Sequence, residues 1–483
     1  MNSQYVARMN NQAYELARQA RDPRFDGRFY IGVKTTGIYC RPVCRVRLPK
    51  PENVTFFSSA AAAGMAGFRP CLRCRPESAP GTPAWSGTST TVTRGLKLIA
   101  AGELDRAGVV ALSDRLGVTS RHLRRLFVAH LGVTPVAIAQ TRRLQAAATL
   151  LAQTTLSVAQ IAHMAGYGSV RRLNAHVQNV YGRTPSNLRR GSKKSPVRGF
   201  ILRLGYRPPF DFAGVLNFLS VRGIPGVEWV SPSSYGRSIL VDGQPGSFTV
   251  SNDAENHLLV CHIELADPAG LMQVRGRIKA LFDLDADPLE INQCLTKDPL
   301  LAPFVAENLG QRVPGGWDPF EIAVRAIVGQ QISVKGATTV MGRIAQQYGR
   351  LVNQTQFFPS PAELEVLDPI DLPMPRGRAA AIQMLAAKVA SGEIDFDRFS
   401  DSQSLIDTLI SIKGIGGWTA RYVAMRAIND PDAFLHDDLV LARIAQQRLG
   451  LADSQALLQR SSNWQPWRAY AGMHLWRQAS KTQ

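Results

Sequence analysis

Two groups of residues in this chain carry types and spacings that could do chemistry. The first is Ile410-Ser411-Ile412-Lys413-Gly414-Ile415-Gly416-Gly417-Trp418-Thr419-Ala420-Arg421-Tyr422, followed by His436-Asp437-Asp438. The pattern predicts a helix ending at Lys413, a turn made by Gly414, Gly416 and Gly417, a second helix from about Gly417, and an acidic pair after it. Such a turn aims backbone N–H groups outward at a helix N-terminus, which suits a phosphate. Trp418 and Tyr422 are four residues apart and share one face of the second helix. An aromatic wall beside an acid and a phosphate grip is what acting on an extruded DNA base requires. The same spacing also serves plain core packing, so the motif alone leaves both readings open.

The second group is Cys40-Arg41-Pro42-Val43-Cys44 and Cys71-Leu72-Arg73-Cys74, two close pairs separated by 26 residues. Two pairs on two turns can close a tetrahedron of sulfurs around Zn2+. Arg41, Arg45, Arg47, Arg69, Arg73 and Arg75 surround them, and are expected to bind backbone phosphates and to favour thiolate over thiol. Cys261 and Cys294 stand alone and read as core.

The elements that must position these groups follow from length, charge and pattern. At 483 residues several domains are expected, each able to bury a core. There is no apolar run long enough for a bilayer and no apolar leader segment, so the expectation is a cytoplasmic protein with its cysteines reduced or metal-bound. The net charge of +19 is concentrated in the front of the chain. Residues 1–195 hold 29 Lys and Arg against 8 Asp and Glu, a net of +21, and the rest of the chain nets −2. A front half that basic implies a polyanionic partner, most simply double-stranded DNA.

The Pro/Gly-rich stretch 79–90 reads as a linker. Two similar patterns follow it. In the first, Val110–Leu116 stops at Gly117, and Thr119 or Ser120 caps a helix carrying Arg121, Arg124 and Arg125. In the second, Val158 to Val180, Gly166 makes the turn and Arg171 and Arg172 lie on the helix after it. A helix from about Val136 to Gln153 stands between them. These are two helix-turn-helix units, each placing its second helix in a major groove. Alternating segments at 200–204, 238–241, 246–250 and 257–261 read as strands, with helices near 212–221 and 270–282. From Asp287 the chain reads as helical to its end. The fold class is therefore multidomain α+β: a small zinc module (1–78), a linker (79–90), an all-α double helix-turn-helix (91–190), an α+β domain (197–286) and an all-α core (287–483).

Three known families resemble these parts. Thr35-Thr36-Gly37-Ile38-Tyr39-Cys40-Arg41-Pro42 and Ala66-Gly67-Phe68-Arg69-Pro70-Cys71 resemble the N-terminal module of Ada-type adaptive-response regulators. That resemblance implies that Cys40 accepts a methyl group from a methylphosphotriester in DNA; a zinc module that only holds DNA is the alternative. Leu131-Gly132-Val133-Thr134-Pro135 and Tyr181-Gly182-Arg183-Thr184-Pro185 are similar to AraC-type regulators, which implies transcription activation with RNA polymerase as a partner. The hairpin, with Trp464-Gln465-Pro466-Trp467-Arg468 and His474-Leu475-Trp476, resembles the helix-hairpin-helix DNA glycosylases, specifically DNA-3-methyladenine glycosylase II. This implies hydrolytic excision of alkylated bases with Asp438 as the carboxylate and Asp437 as its neighbour. It also implies a base pocket of Phe218, Trp418, Tyr422 and Trp476, with Leu439 where an aromatic can occur.

The resemblance carries finer expectations. Strand-cutting relatives use a lysine at position 418, so Trp418 implies a glycosylase without lyase activity. A plug for the gap left by the base is expected at Gln331 or Ile332, and a monovalent cation at the carbonyls of Ile410, Ile412 and Ile415. The Pro-Cys-His-Arg site of methylguanine transferases is absent, so no O6-methylguanine repair is expected. A monomer is expected. The competing reading is a DNA-binding transcription regulator whose glycosylase-like half is a non-catalytic sensor.

Overall fold

The structure is a computed structural model that describes residues 3–80, 90–100, 102–189, 199–396, 399 and 402–479. Residues 81–89 of the predicted linker (79–90), and residues 190–198 between the helix-turn-helix portion and the α+β domain, lie outside the described residues.

In the first module a helix, Ser3–Ala20, leads into a four-stranded sheet in the order Val54–Phe57, Tyr30–Val33, Ile38–Cys40, Arg69–Pro70. The hairpin between Val33 and Ile38 turns at Gly37, whose φ of +64° favours a residue without Cβ. The last strand runs parallel to Ile38–Cys40 with Ile38 opposite Arg69 and Tyr39 opposite Pro70. The next residue on each strand is a cysteine. This register, closed by Cys71 N–H donating to Tyr39 O at 3.0 Å, is what brings the two distant pairs together.

The two helix-turn-helix units are Gly108–Arg115 with Ser120–Leu131, and Val158–Met164 with Val170–Tyr181. Both second helices are capped, the first by Thr119, one of the two residues the sequence offers, and the second by Ser169, which the sequence reading did not single out. Thr119 accepts from His122 N–H and Ser169 from Arg172 N–H, each satisfying an otherwise orphaned donor. Gly117 and Gly166 make the turns at φ +67° and +78°. Pro135–Gln153 runs between the units and packs against both, and also against the zinc module and the α+β sheet.

The α+β portion is a five-stranded antiparallel sheet in the order Phe200–Gly205, Leu258–Leu265, Gln244–Asp253, Ser234–Val241, Glu228–Val230. The last strand is absent from the sequence reading; three residues at a sheet edge are too short for alternation to register. This sheet does not keep a core of its own. Leu144, Leu151, Ile161 and Leu173 of the helix-turn-helix portion lie in one buried cluster with Leu202, Ile239, Leu259 and Phe282.

The remainder is helical, with one correction: Leu351–Val352 and Thr355–Gln356 form a two-residue-per-strand hairpin. Its turn residues Asn353 and Gln354 have positive φ, which a helix cannot carry. A single large core joins Ile327, Leu385, Leu409, Val423, Leu441 and Trp464.

Candidate active site and metal centre

Asp438 is the N-cap of helix Leu439–Leu449. Its Oδ1 accepts from the backbone N–H of Val440 at 3.0 Å and of Leu441 at 2.9 Å. Two indoles complete the clasp. Trp476 Nε1 donates to Oδ1 and Trp418 Nε1 to Oδ2, both at 3.0 Å. Helices Gly417–Ala427, Leu439–Leu449 and Arg468–Ala479 thus converge on one carboxylate. Four donors fix its rotamer, and the positive end of a helix lies beneath it. Asp437 is treated differently by the fold. It pairs with Arg421 Nη2 at 2.5 Å, and its side chain is 40% exposed.

Trp418 and Tyr422 stack with ring centroids 5.3 Å apart and planes 19° from parallel. Tyr422 OH accepts from Arg426 Nη1 at 2.8 Å. Arg426 in turn donates to the carbonyls of Pro314 and Gly315, which gives the Pro-Gly-Gly segment a positional role. Burial would push the Tyr422 phenol up. The guanidinium groups of Arg426, Arg222 and Arg325 outweigh that and leave it below its ordinary value.

Phe218 comes from the α+β portion, on helix Phe212–Ser220, and packs against the helical core. Arg222 Cζ lies 3.9 Å from its ring centroid and Arg426 Cζ 4.9 Å. Its π-system is already engaged by protein cations. Leu439 is 86% exposed at the first helical position, so it stands at the rim rather than in the aromatic wall. Arg222 and Arg426 were missed from sequence. Arg426 could have been found, since it follows Tyr422 by four residues on the same helix face.

The hairpin differs from expectation at its first helix, which ends at Ile410 rather than Lys413. Ile412 N–H bonds back to Leu409 O, and Ile415 N–H closes on Ile412 O, a tight turn that ends the α-helical pattern. Ile412 and Ile415 are buried beneath it, each contributing about 1.5–3 kcal/mol. Gly414 has φ +99°, a conformation that suits glycine alone. Gly416 caps the second helix, and a side chain there would meet nothing, so it leaves the backbone approachable. A Cβ on Gly417 would lie 3.0 Å from the Arg421 guanidinium. Of the carbonyls considered for a monovalent cation, that of Ile412 already accepts the turn's hydrogen bond.

Gln330 Nε2 donates to Gly414 O at 2.9 Å and to Thr419 Oγ1 at 3.0 Å, tying the hairpin to the 329–333 segment. On that segment Gln331 is exposed at φ +57° and Ile332 is 39% exposed.

In the first module the sulfurs of Cys40, Cys44, Cys71 and Cys74 all lie within 4.8 Å of one another. Cys40, Cys44 and Cys71 are buried and Cys74 is half-buried. Hydrogen bonding with Cys40 holds Cys44 and Cys71 below the ordinary thiol range. Hydrogen bonding with Cys44 raises Cys40, and hydrogen bonding with Cys40 raises Cys74. Four converging soft donors with shared negative charge fit tetrahedral Zn2+.

The surrounding arginines divide. Arg45, Arg47, Arg69 and Arg73 are exposed. Arg41 is turned inward: its Nε donates to Asp26 Oδ1 at 2.9 Å and its Nη1 to Cys74 O at 3.1 Å. It holds the cysteine loop instead of reaching for phosphate. On the helix-turn-helix units Arg121, Arg124, Arg125, Arg171 and Arg172 are all exposed.

Three family models match: the metal binding domain of Ada at residues 13–77, a helix-turn-helix domain at 112–191 and the AlkA N-terminal domain at 201–318. Over 472 residues, 95% of each chain, the sequence is 41% identical to the probable bifunctional transcriptional activator/DNA repair enzyme AlkA of Mycobacterium tuberculosis. This chain belongs to that family. Its back half, 56% of the chain, is 36% identical to 95% of DNA-3-methyladenine glycosylase 2 of Escherichia coli. The 3-methyladenine DNA-glycosylase from Archaeoglobus fulgidus superposes with a TM-score of 0.52 at 19% identity, covering 58% of this chain and 98% of its own, so the two share a fold. The match to the metal binding domain of Ada and the four-sulfur cluster together make the first module a zinc site. Among the described residues no helix is long and apolar enough to cross a membrane.

Proposed function

We propose that this chain excises alkylated bases of the 3-methyladenine type from double-stranded DNA, and that its front half accepts methyl groups from DNA phosphotriesters and activates transcription in response. The observation that carries the first part is the clasp on Asp438, a carboxylate aimed by two indoles and a helix N-terminus beside the Trp418–Tyr422 stack. An N3- or N7-methylated purine is cationic and leaves as a neutral base. The C1′–N bond breaks, Asp438 stabilises the positive sugar, and water adds to C1′ while its proton passes toward the carboxylate. Gly414, Gly416 and Gly417 present backbone to the DNA strand, and the exposed arginines of the two helix-turn-helix units contact a second stretch of duplex.

Trp418 carries no amine, so no Schiff base forms and the product is an abasic site. In the front half, Cys40 sulfur forms a bond to the methyl carbon as the methyl–oxygen bond breaks, leaving a phosphodiester. Zn2+ held by Cys40, Cys44, Cys71 and Cys74 would keep the Cys40 sulfur deprotonated at neutral pH. Transfer makes the cluster one unit less negative, which favours DNA and links repair to activation at a promoter, with RNA polymerase as the further partner and the chain acting as a monomer.

The experiment is incubation of the purified chain with methylated DNA, with and without borohydride. Free methyladenine and no trapped protein–DNA adduct are expected. No released base would favour a non-catalytic sensor half, and a trapped adduct would overturn the assignment of reaction type.

A further inference from the structure

The zinc module is joined to the glycosylase core by a chain of buried and half-buried charges that alternate in sign. It starts at the metal site. Arg41 follows Cys40, its N–H lies 3.4 Å from Cys74 Sγ, and its guanidinium bonds both Cys74 O and Asp26. The Asp26 side chain is only 5% exposed. Next to it, Gly27 is held between the end of its own module and the back half: a Cβ would lie 2.3 Å from Pro80 O and 3.2 Å from Arg207 Nη2. Arg207 is fully buried, bonds Asp285 O at 2.9 Å, and lies in the fields of Asp287, Asp285 and Asp26. One residue further, Arg28 Nε pairs with Asp287 Oδ2 at 3.0 Å, and its Nη2 lies 3.8 Å from Glu290. Asp287, fully buried, is the N-cap of Pro288–Leu295, the helix that opens the glycosylase core.

Charges this deep persist only while each is paired, so displacing one exposes the next to a desolvation cost. The cysteine loop fixes Arg41, Arg41 fixes Asp26, and Asp26 helps to compensate Arg207 beside Asp287. We propose that zinc binding at the four-cysteine site and docking of that module on the glycosylase core are thermodynamically linked through Arg41, Asp26, Arg207, Asp287 and Arg28. Linkage is reciprocal. Loosening the far end of the chain therefore weakens metal binding, and removing the metal loosens the far end.

The test uses the full chain and Zn2+ in competition with a chromophoric chelator. Asp287→Asn removes the charge and keeps the cap, since Asn caps as well as Asp. Arg28→Gln breaks the same pair from the other side. Both variants are expected to hold zinc about fivefold or more weakly than wild type, and the double variant no more weakly than the worse single one. Arg28→Gln decides the matter, because simple long-range electrostatics predicts the opposite sign: loss of a positive charge would tighten a cation. It also decides if Asp287→Asn does not fold, since the Arg28 side chain is 25% exposed whereas that of Asp287 is fully buried, so the Arg28 variant disturbs the core less. In the reciprocal arm, stripping zinc from wild type is expected to speed amide exchange along Pro288–Leu295. Zinc affinity within twofold of wild type in folded Arg28→Gln, or exchange unchanged by the chelator, would overturn the linkage. A wild-type chain that binds no zinc would overturn the metal site itself, and the linkage with it.

Discussion

Replacing Asp438 by Asn separates the charge of this group from its structural duty. The amide oxygen can still accept from Val440 and Leu441 N–H, so the helix Leu439–Leu449 keeps its cap. The amide nitrogen would then face Trp418 Nε1, donor against donor. Losing a hydrogen bond to a charged acceptor costs about 2 kcal/mol, and the melting temperature should fall by about 4–8 °C. The catalytic loss should be larger. A full negative charge about 4 Å from the developing positive sugar is worth about 4 kcal/mol at an effective dielectric of 20, or about 10³-fold in rate. The assay is single-turnover release of methyladenine from alkylated duplex DNA, with the melting temperature of each variant recorded beside it. Asp437→Asn is the control. Its exposed pair with Arg421 is worth at most about 1 kcal/mol, and activity should stay within about tenfold of wild type. If Asp438→Asn were folded and as active as wild type, or if Asp437→Asn were the inactive variant, the role assigned to the clasped carboxylate would be wrong.

Other consequences are open to direct measurement. One zinc per chain is expected by elemental analysis, and Cys71→Ser should lose it along with protection of the strand pair Ile38–Cys40 and Arg69–Pro70 from amide exchange. Arg124→Ala, which removes an exposed charge from a helix-turn-helix unit, should lower the slope of log binding constant against log salt by about one; an unchanged slope would take Arg124 off the phosphate backbone. His474 is buried in the core, and burial, aided by Arg477, holds its imidazole down to about 4. Its folded value lies below the unfolded one of 6.5, so the stability it contributes is full above pH 6.5 and is lost as pH falls toward 4. His474→Leu should flatten the stability profile of that window by up to about 1.4 kcal/mol per pH unit, seen in denaturant titrations at pH 7, 5.5 and 4.5.

The residues proposed to carry the chemistry stand out in the sequence because their signals are local. Glycine spacing in the hairpin, paired cysteines on two turns, capping residues ahead of arginine-bearing helices and a one-sided charge distribution each depend on neighbours a few positions apart. Local pattern could also name two adjacent acids at 437 and 438. Only the family resemblance preferred Asp438; what physically distinguishes the two is an indole from residue 476 and a guanidinium from residue 421, which local pattern does not contain. Likewise it gathered Arg41 with its exposed neighbours, although Asp26 and the carbonyl of Cys74 draw that side chain inward.

Only the tertiary structure could decide how the parts meet. The shared core of Leu151 with Leu202 and Leu259, the guanidinium layer behind Phe218 and the buried chain from Arg41 to Asp287 all join residues far apart in the chain. Hydrophobic periodicity states that a face will be buried, but not against what. Charge pairing in a low-dielectric interior is set by three-dimensional proximity, which the order of residues does not encode locally.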